Sequence, residues 1–365
     1  MFSHNGRIST RQVMILLILQ MFNMNMILMP SISTYYVGRN GYVLPIIAIL
    51  FGVIYVYFIT ALTMRFPDKT LVEIAKDLLP DGFAYILVWT FAIKLLIGTG
   101  LELRMFGELI SQVLLPKTPL AVIMLVMLLT AGYLVKSGVE ATARMAEVLI
   151  YFTIFPIIIV LIIIALQIDY QEVLPFFQTD IKSIGLGALS ISYMFAPVEF
   201  LLMTTGLMRK PRKVRKMGIG AVCFIGIIQG IITLLTIAEI GVGETQRSVW
   251  PVLGLMQNIG INSSVIENQE VILLSVWILS VFIYISSGLY FASLIGSRSF
   301  KFKRENVFVL PLIPIIFFIA IWPKNIIEAY KYYLNVQMYF SFWFVVVLPL
   351  VLVLIAKLRR VGDEK

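Results

Sequence analysis

Five ionisable side chains stand inside long apolar runs of this chain: Lys94, Glu102, Arg104, Glu108 and Glu199. A charge in hydrocarbon is costly and persists only where it faces a partner or a wet cavity. Lys94, Gly98 and Glu102 are spaced i, i+4, i+8, so in a helix they share one stripe. Arg104 and Glu108 form an i, i+4 pair on a different face. Two kinds of chemistry fit the set. One is a buried ion-pair network, with Lys94 matched by Glu199 or Glu102 to fix helix register. The other is a titrating relay or polar pathway across the membrane. Enzyme chemistry is not expected. His4 is the only histidine and Cys223 the only cysteine, so histidine triads, zinc motifs and intrachain disulfides are excluded, and neither metal nor cofactor is expected.

Two stretches could build a ligand site beside these charges. Met21–Pro30, MFNMNMILMP, carries Asn23 and Asn25 around Met24 within an apolar run. An uninterrupted membrane helix satisfies its own backbone, and two carboxamides in it would only add desolvation cost. Asn tolerates left-handed backbone, so Asn23-Met24-Asn25 is a place for a helix to unwind. Alternatively, both side chains bond to a neighbouring helix. The second stretch, SISYMFAPVEFLL, places Phe195, Ala196 and Pro197 just before Glu199. Proline removes a backbone donor and crowds the preceding turn, so a kink is expected. A ligand carboxylate is expected on backbone N–H groups freed at one break, with its side chain against Met24, Gly98 and Phe195.

The elements that would position these residues are membrane helices. Apolar residues make up 60% of 365 and charged residues only 13%, and mean hydropathy is +0.95. This is the composition of an integral membrane protein. Runs of sufficient length give ten spans: 11–36 (broken), 42–64, 83–114, 119–135, 145–166, 184–208 (broken), 218–240, 270–296, 307–322 and 338–357. No small-residue cleavage site follows the first, so no cleavable signal is expected. Close to half of the chain separates Met24 from Ala196. Interruptions at corresponding positions of two halves point to an inverted-repeat transporter fold. The expected architecture is therefore one all-α transmembrane domain over 1–365. It has five-plus-five repeats, about 11–166 and 184–357, with helices 1 and 6 broken. Basic residues gather in alternate loops and at the ends, which places both termini in the cytoplasm.

Other features admit plain readings beside functional ones. Gly98 and Gly100 permit close helix packing or leave room for a small ligand. Ser286 and Ser287 back-bond to their own helix or line a cation site. RKPRKVRK at Arg209–Lys216 is topogenic and contacts anionic lipid, or forms a partner site. The +9 balance calls for no nucleic acid, since its distribution follows the membrane. On the outer side, Gln167–Lys182 holds an LPFF turn, and Gly241–Gln269 is a helical flap or a connecting loop.

The run ELRMFGEL at Glu102–Leu109 resembles the E-x-R-x-x-x-E pattern of the third helix of spore germinant receptor B subunits. In order, Pro30, Lys117–Pro119, Glu199, Trp250–Pro251, VIENQEVILLSVW at Val265–Trp277, IWP at Ile321–Pro323 and KLRR at Lys357–Arg360 resemble further motifs of that family. The resemblance covers essentially the whole chain. It implies the amino acid–polyamine–organocation fold and a small-ligand site between broken helices 1 and 6. It also implies a place in the inner spore membrane beside an A subunit and a lipoprotein C subunit, with a nutrient, commonly an amino acid, as the signal. The chain departs twice: Asn23-Met24-Asn25 replaces a Gly-x-Gly-like break, narrowing the pocket, and Asn268 replaces an arginine. A proton-coupled amino-acid permease and an ion-conducting subunit are the competing functions, which fold cannot separate.

Overall fold

The computed structural model describes residues 6–168, 170–173, 179–258 and 269–362. His4, the LPFF turn at 174–177 and Asn268 lie outside the described residues. Helix α1 (Thr10–Met21) starts at a capping box: Ser9 Oγ accepts the Gln12 N–H at 3.2 Å, and Gln12 Oε1 accepts the Ser9 N–H at 2.8 Å. Helix α2 (Met24–Val37) follows after two non-helical residues, and α3 (Val43–Thr63) after a 3₁₀ turn. The short amphipathic α4 (Leu71–Leu78) precedes the long α5 (Asp81–Val113), then α6 (Leu120–Lys136) and α7 (Val139–Gln167).

The second half begins with α8 (Ile181–Ile191), which runs into 3₁₀ helix over Ser192–Phe200 and then α9 (Leu201–Thr204). Helix α10 (Val214–Arg247) kinks at Gly241, where φ is +75°, a conformation that favours glycine. Then come α11 (Pro251–Asn258), α12 (Gln269–Ser299), α13 (Val309–Ile321), α14 (Ile326–Asn335) and α15 (Leu348–Leu358). Two π-helical stretches, Val336–Phe340 and Trp343–Val347, join the last two.

Seven helical stretches among the described residues are long and apolar enough to cross a membrane, and α1, α6 and α13 are shorter apolar helices. Large apolar side chains such as Tyr133, Phe155, Leu166 and Phe318 point outward. An apolar exterior over many helices is what hydrocarbon requires, and the chain is an integral membrane protein. Most helix bounds fall within a few residues of those read from the sequence, but α7 starts at Val139 and not 145, and α10 runs on past 240 to Arg247. The last helical stretch is longer than expected, because α14 and the π-helical segments continue outward from 338 to Ile326.

The core is built around α5 and α12, which pack along each other, while α10 packs on α2 and α3. On the face that carries Arg209–Lys216, an ionic clamp ties α4 to α12. Arg298 contacts Glu73 and Glu305 at 3.0 Å each. Burial would raise the Glu73 pKa, but the Arg298 charge and the Thr70 hydrogen bonds outweigh it and hold the carboxyl below its ordinary value. On the opposite face Gln246 Nε2 donates to Thr34 O at 2.8 Å, and Trp250 Nε1 donates to Gln112 Oε1 at 3.1 Å. These contacts hold the helical flap α11 over α2 and α5.

Candidate functional site

Helix α1 stops because Asn23 restarts the backbone. Its Oδ1 accepts the Asn25 N–H at 3.1 Å and its carbonyl accepts the Met26 N–H at 3.0 Å, an N-cap for α2. The break thus comes from side-chain capping and not from left-handed backbone: φ of Asn23 is −106°. The remaining donor of the first turn, the Met24 N–H, goes to Glu102 Oε1 at 2.9 Å. A carboxylate of α5 therefore sits where the positive end of α2 attracts anions. That place was expected to be open to a ligand, and the first three N–H groups of α2 all have protein acceptors.

Lys94 is paired with Glu199, and both are buried. This is the first of the two readings of the intramembrane charges in geometric form: a stripe on α5 locked to the end of the 3₁₀ stretch. Arg104 and Glu108 contact each other at 2.9 Å, as their spacing requires, and Arg104 is 8% exposed. Glu102 stands apart from these ion pairs, fully buried, with the Tyr333 hydroxyl nearby and no well-aligned donor on Oε2.

Around these groups lie residues that no motif singled out. The Tyr333 hydroxyl is an electrostatic neighbour of Glu102, and the Tyr284 hydroxyl of both Glu102 and Glu199. Gln337 Nε2 reaches Tyr284 at 3.4 Å and Ser341 donates to Gln337 Oε1 at 2.8 Å. Tyr330 and Tyr333 are i, i+3 on α14, the one signal in the sequence that could have placed two phenols on one face.

Gly98 belongs to this centre. A Cβ built there would meet only the Tyr284 hydroxyl, at 3.4 Å, so a gap lies beside it, one turn before Glu102. Met24, Asn23 and Asn25 are buried at the break, and Asn23 Nδ2 and Asn25 Oδ1 are unpartnered. Phe195 turns elsewhere: its ring fills a notch made by Gly52 of α3 and Gly226 of α10. Ala196 and Pro197 are buried within the 3₁₀ stretch, and Ala196 lines a cavity of about 260 Å³ shared with Gln337 and Met338 of the first π-helical stretch and with Ser341 just after it. Ser286 Oγ is buried without a partner. Among the described residues no cluster of His, Cys, Asp and Glu could hold a metal.

A crystal structure of a manganese transporter from Eremococcus coleocola, determined with an aromatic bis-isothiourea compound, has the same fold. The TM-score is 0.57 at 12% identity, over 98% of this chain and 81% of that one. The likeness is of fold alone. Sequence relatives are more specific. Spore germination protein YndE of Bacillus subtilis (strain 168) is 24% identical over 100% of both chains. Spore germination protein KB of the same strain is 24% identical over 99% of this chain and 97% of its own. GerLB, a spore germination protein of Bacillus cereus, is 23% identical over 88% and 86%. The model of the family described as spore germination protein matches residues 7–329, nearly the whole length. The chain belongs to the spore germination protein family.

Proposed function

We propose that this chain is the nutrient-sensing subunit of a spore germinant receptor and binds one small ligand, an amino acid, beside the break at Phe22–Asn23. The observation that carries the reading is a helix restart whose own carboxamides, Asn23 and Asn25, and the facing carboxyl of α5, Glu102, are buried and incompletely satisfied, in a chain of the germination family. It sits in the inner spore membrane with the Arg209–Lys216 face and both termini cytoplasmic, in accord with the crowding of basic residues there. Ten crossings in two inverted repeats of five, about 11–166 and 184–357, account for the packing. An inverted repeat requires reciprocal contacts. Helix α12 packs on α6 and α7 as α5 packs on α13 and α14, and α10 packs on α1 and α2 as α3 packs on α8 and the 3₁₀ stretch.

Its partners in this reading are an A-type subunit and a lipoprotein C-type subunit. A second reading, a proton-coupled amino-acid permease, is favoured by the fold shared with a transporter. Reconstitution of the full chain in proteoliposomes with labelled amino acids separates the two. Saturable binding without sustained accumulation is expected for the sensor; accumulation driven by a proton gradient would establish the permease, and neither binding nor uptake would end both readings.

A further inference from the structure

The central site is one positive charge short. Lys94 is matched by Glu199, and Arg104 by Glu108, which leaves Glu102 with no cationic partner among the described residues. Its Oε1 takes the Met24 N–H, and its Oε2, at zero exposure, has only the neutral Tyr333 hydroxyl beside it. A buried carboxylate in that state lacks the counter-charge that would offset its desolvation. The opposite need is already met: Asn23, by side chain and carbonyl, and Glu102 together occupy the first three N–H groups of α2. Neither these donors nor Lys94 is open to an incoming carboxylate. Helix α1 also ends at the break, and the C-terminal end of a helix dipole favours a cation.

We infer that Glu102 receives the ammonium group of a small primary amine, and that the ligand's own carboxylate is dispensable for binding. The inference rests on the ligand site proposed above and names the group that site reads. Beside Gly98, one turn from Glu102, there is room for a methyl-sized group, where only the Tyr284 hydroxyl approaches. A cluster of phenols adjoins the site. Tyr36 is 39% exposed, Tyr330 and Tyr193 are its electrostatic neighbours, and Tyr193 in turn neighbours Tyr333 beside Glu102. Aromatic faces attract ammonium ions, so these rings and Glu102 have the same preference.

The test measures affinity of the full-length chain in lipid nanodiscs for three matched sets: free amino acids, their carboxamides such as alaninamide, and their N-acetyl derivatives. The expected result is that carboxamides bind within about tenfold of their parents, while N-acetyl derivatives show no binding. Binding of the N-acetyl set without the carboxamides, or of the parents alone, would overturn the inference and leave the amino-acid site standing. Failure of all three sets would remove both. Glu102→Gln keeps an oxygen for the Met24 N–H but carries no charge, so the fold is retained. It is expected to weaken carboxamide binding roughly thirtyfold or more; unchanged affinity in that variant would show that no ammonium is held there.

Discussion

Lys94 and Glu199 illustrate how a buried pair can be essential to a fold without strengthening it. Removing one partner strands a charge in a dry interior at about 3–5 kcal/mol, while removing both leaves only apolar or neutral groups. Lys94→Met or Glu199→Gln alone is therefore expected to lower thermal stability and abundance, and the double variant to recover most of the loss. Immunoblots and melting curves of the four proteins test it; a double variant no better than the singles would mean that the charges do more than match each other. The sequence narrowed the partner of Lys94 to Glu199 or Glu102, because a lysine at mid-membrane depth has few alternatives, and left the choice between them open. The Glu102–Met24 contact was not. It joins residues far apart in the chain and depends on where along α5 the restart of α2 comes to rest, which no local pattern encodes. Asn23 was legible as a break and misread in mechanism, since its side-chain oxygen and not its backbone tolerance restarts the helix.

At the scale of elements, the sixth span expected to break at Pro197 instead tightens. Nine residues, Ser192–Phe200, wind as 3₁₀ helix, which keeps backbone donors bonded within the segment where proline has removed one. Facing it across the 260 Å³ cavity is the π-helical stretch of the last span, so the two irregular windings of the second half adjoin. Sequence patterns gave no warning of π-helix, because Val336–Val347 holds neither proline nor glycine and its apolar spacing is that of any lipid-facing helix. What anchors the 3₁₀ stretch is the Phe195 ring in its glycine notch. A Cβ on Gly52 would come within 2.6 Å of Val222 and 2.7 Å of the Phe195 ring. Gly52→Ala is expected to cost about 1–3 kcal/mol by overpacking, and Phe195→Leu in the same chain to restore part of it. Thermal unfolding in detergent decides this: a neutral Gly52→Ala would show that the 3₁₀ stretch yields and is not fixed by its notch.

The whole molecule has helices and short connections, and the described residues hold no soluble domain that could act on a signal. A ligand biases an assembly only through different affinities for two states of the subunit it binds, and something outside the membrane core must register the change. Two surfaces are placed to do so. One is α11 with its Trp250 anchor, on the face opposite Arg209–Lys216. The other is the basic loop, where Arg215 is held by Thr60 at 3.0 Å and lies over the Tyr57 ring, while Lys210, Arg212 and Lys213 project into solvent. Fixing one arginine while leaving Lys210, Arg212, Lys213 and Lys216 exposed suits a contact with an acidic partner surface or anionic lipid better than an internal role. On the receptor reading, the chain is expected to be depleted or silent in spores that lack the proposed A-type partner. Reversing Lys210, Arg212 and Lys213 to glutamate should lower co-purification with that partner while abundance in the intact complex changes little. Immunoblotting in partner-deletion spores, followed by amino-acid response and uptake, provides the measurement. Full abundance together with full amino-acid uptake in that background would end the receptor reading, because a sensor with no partner to inform would then be doing the work of a permease.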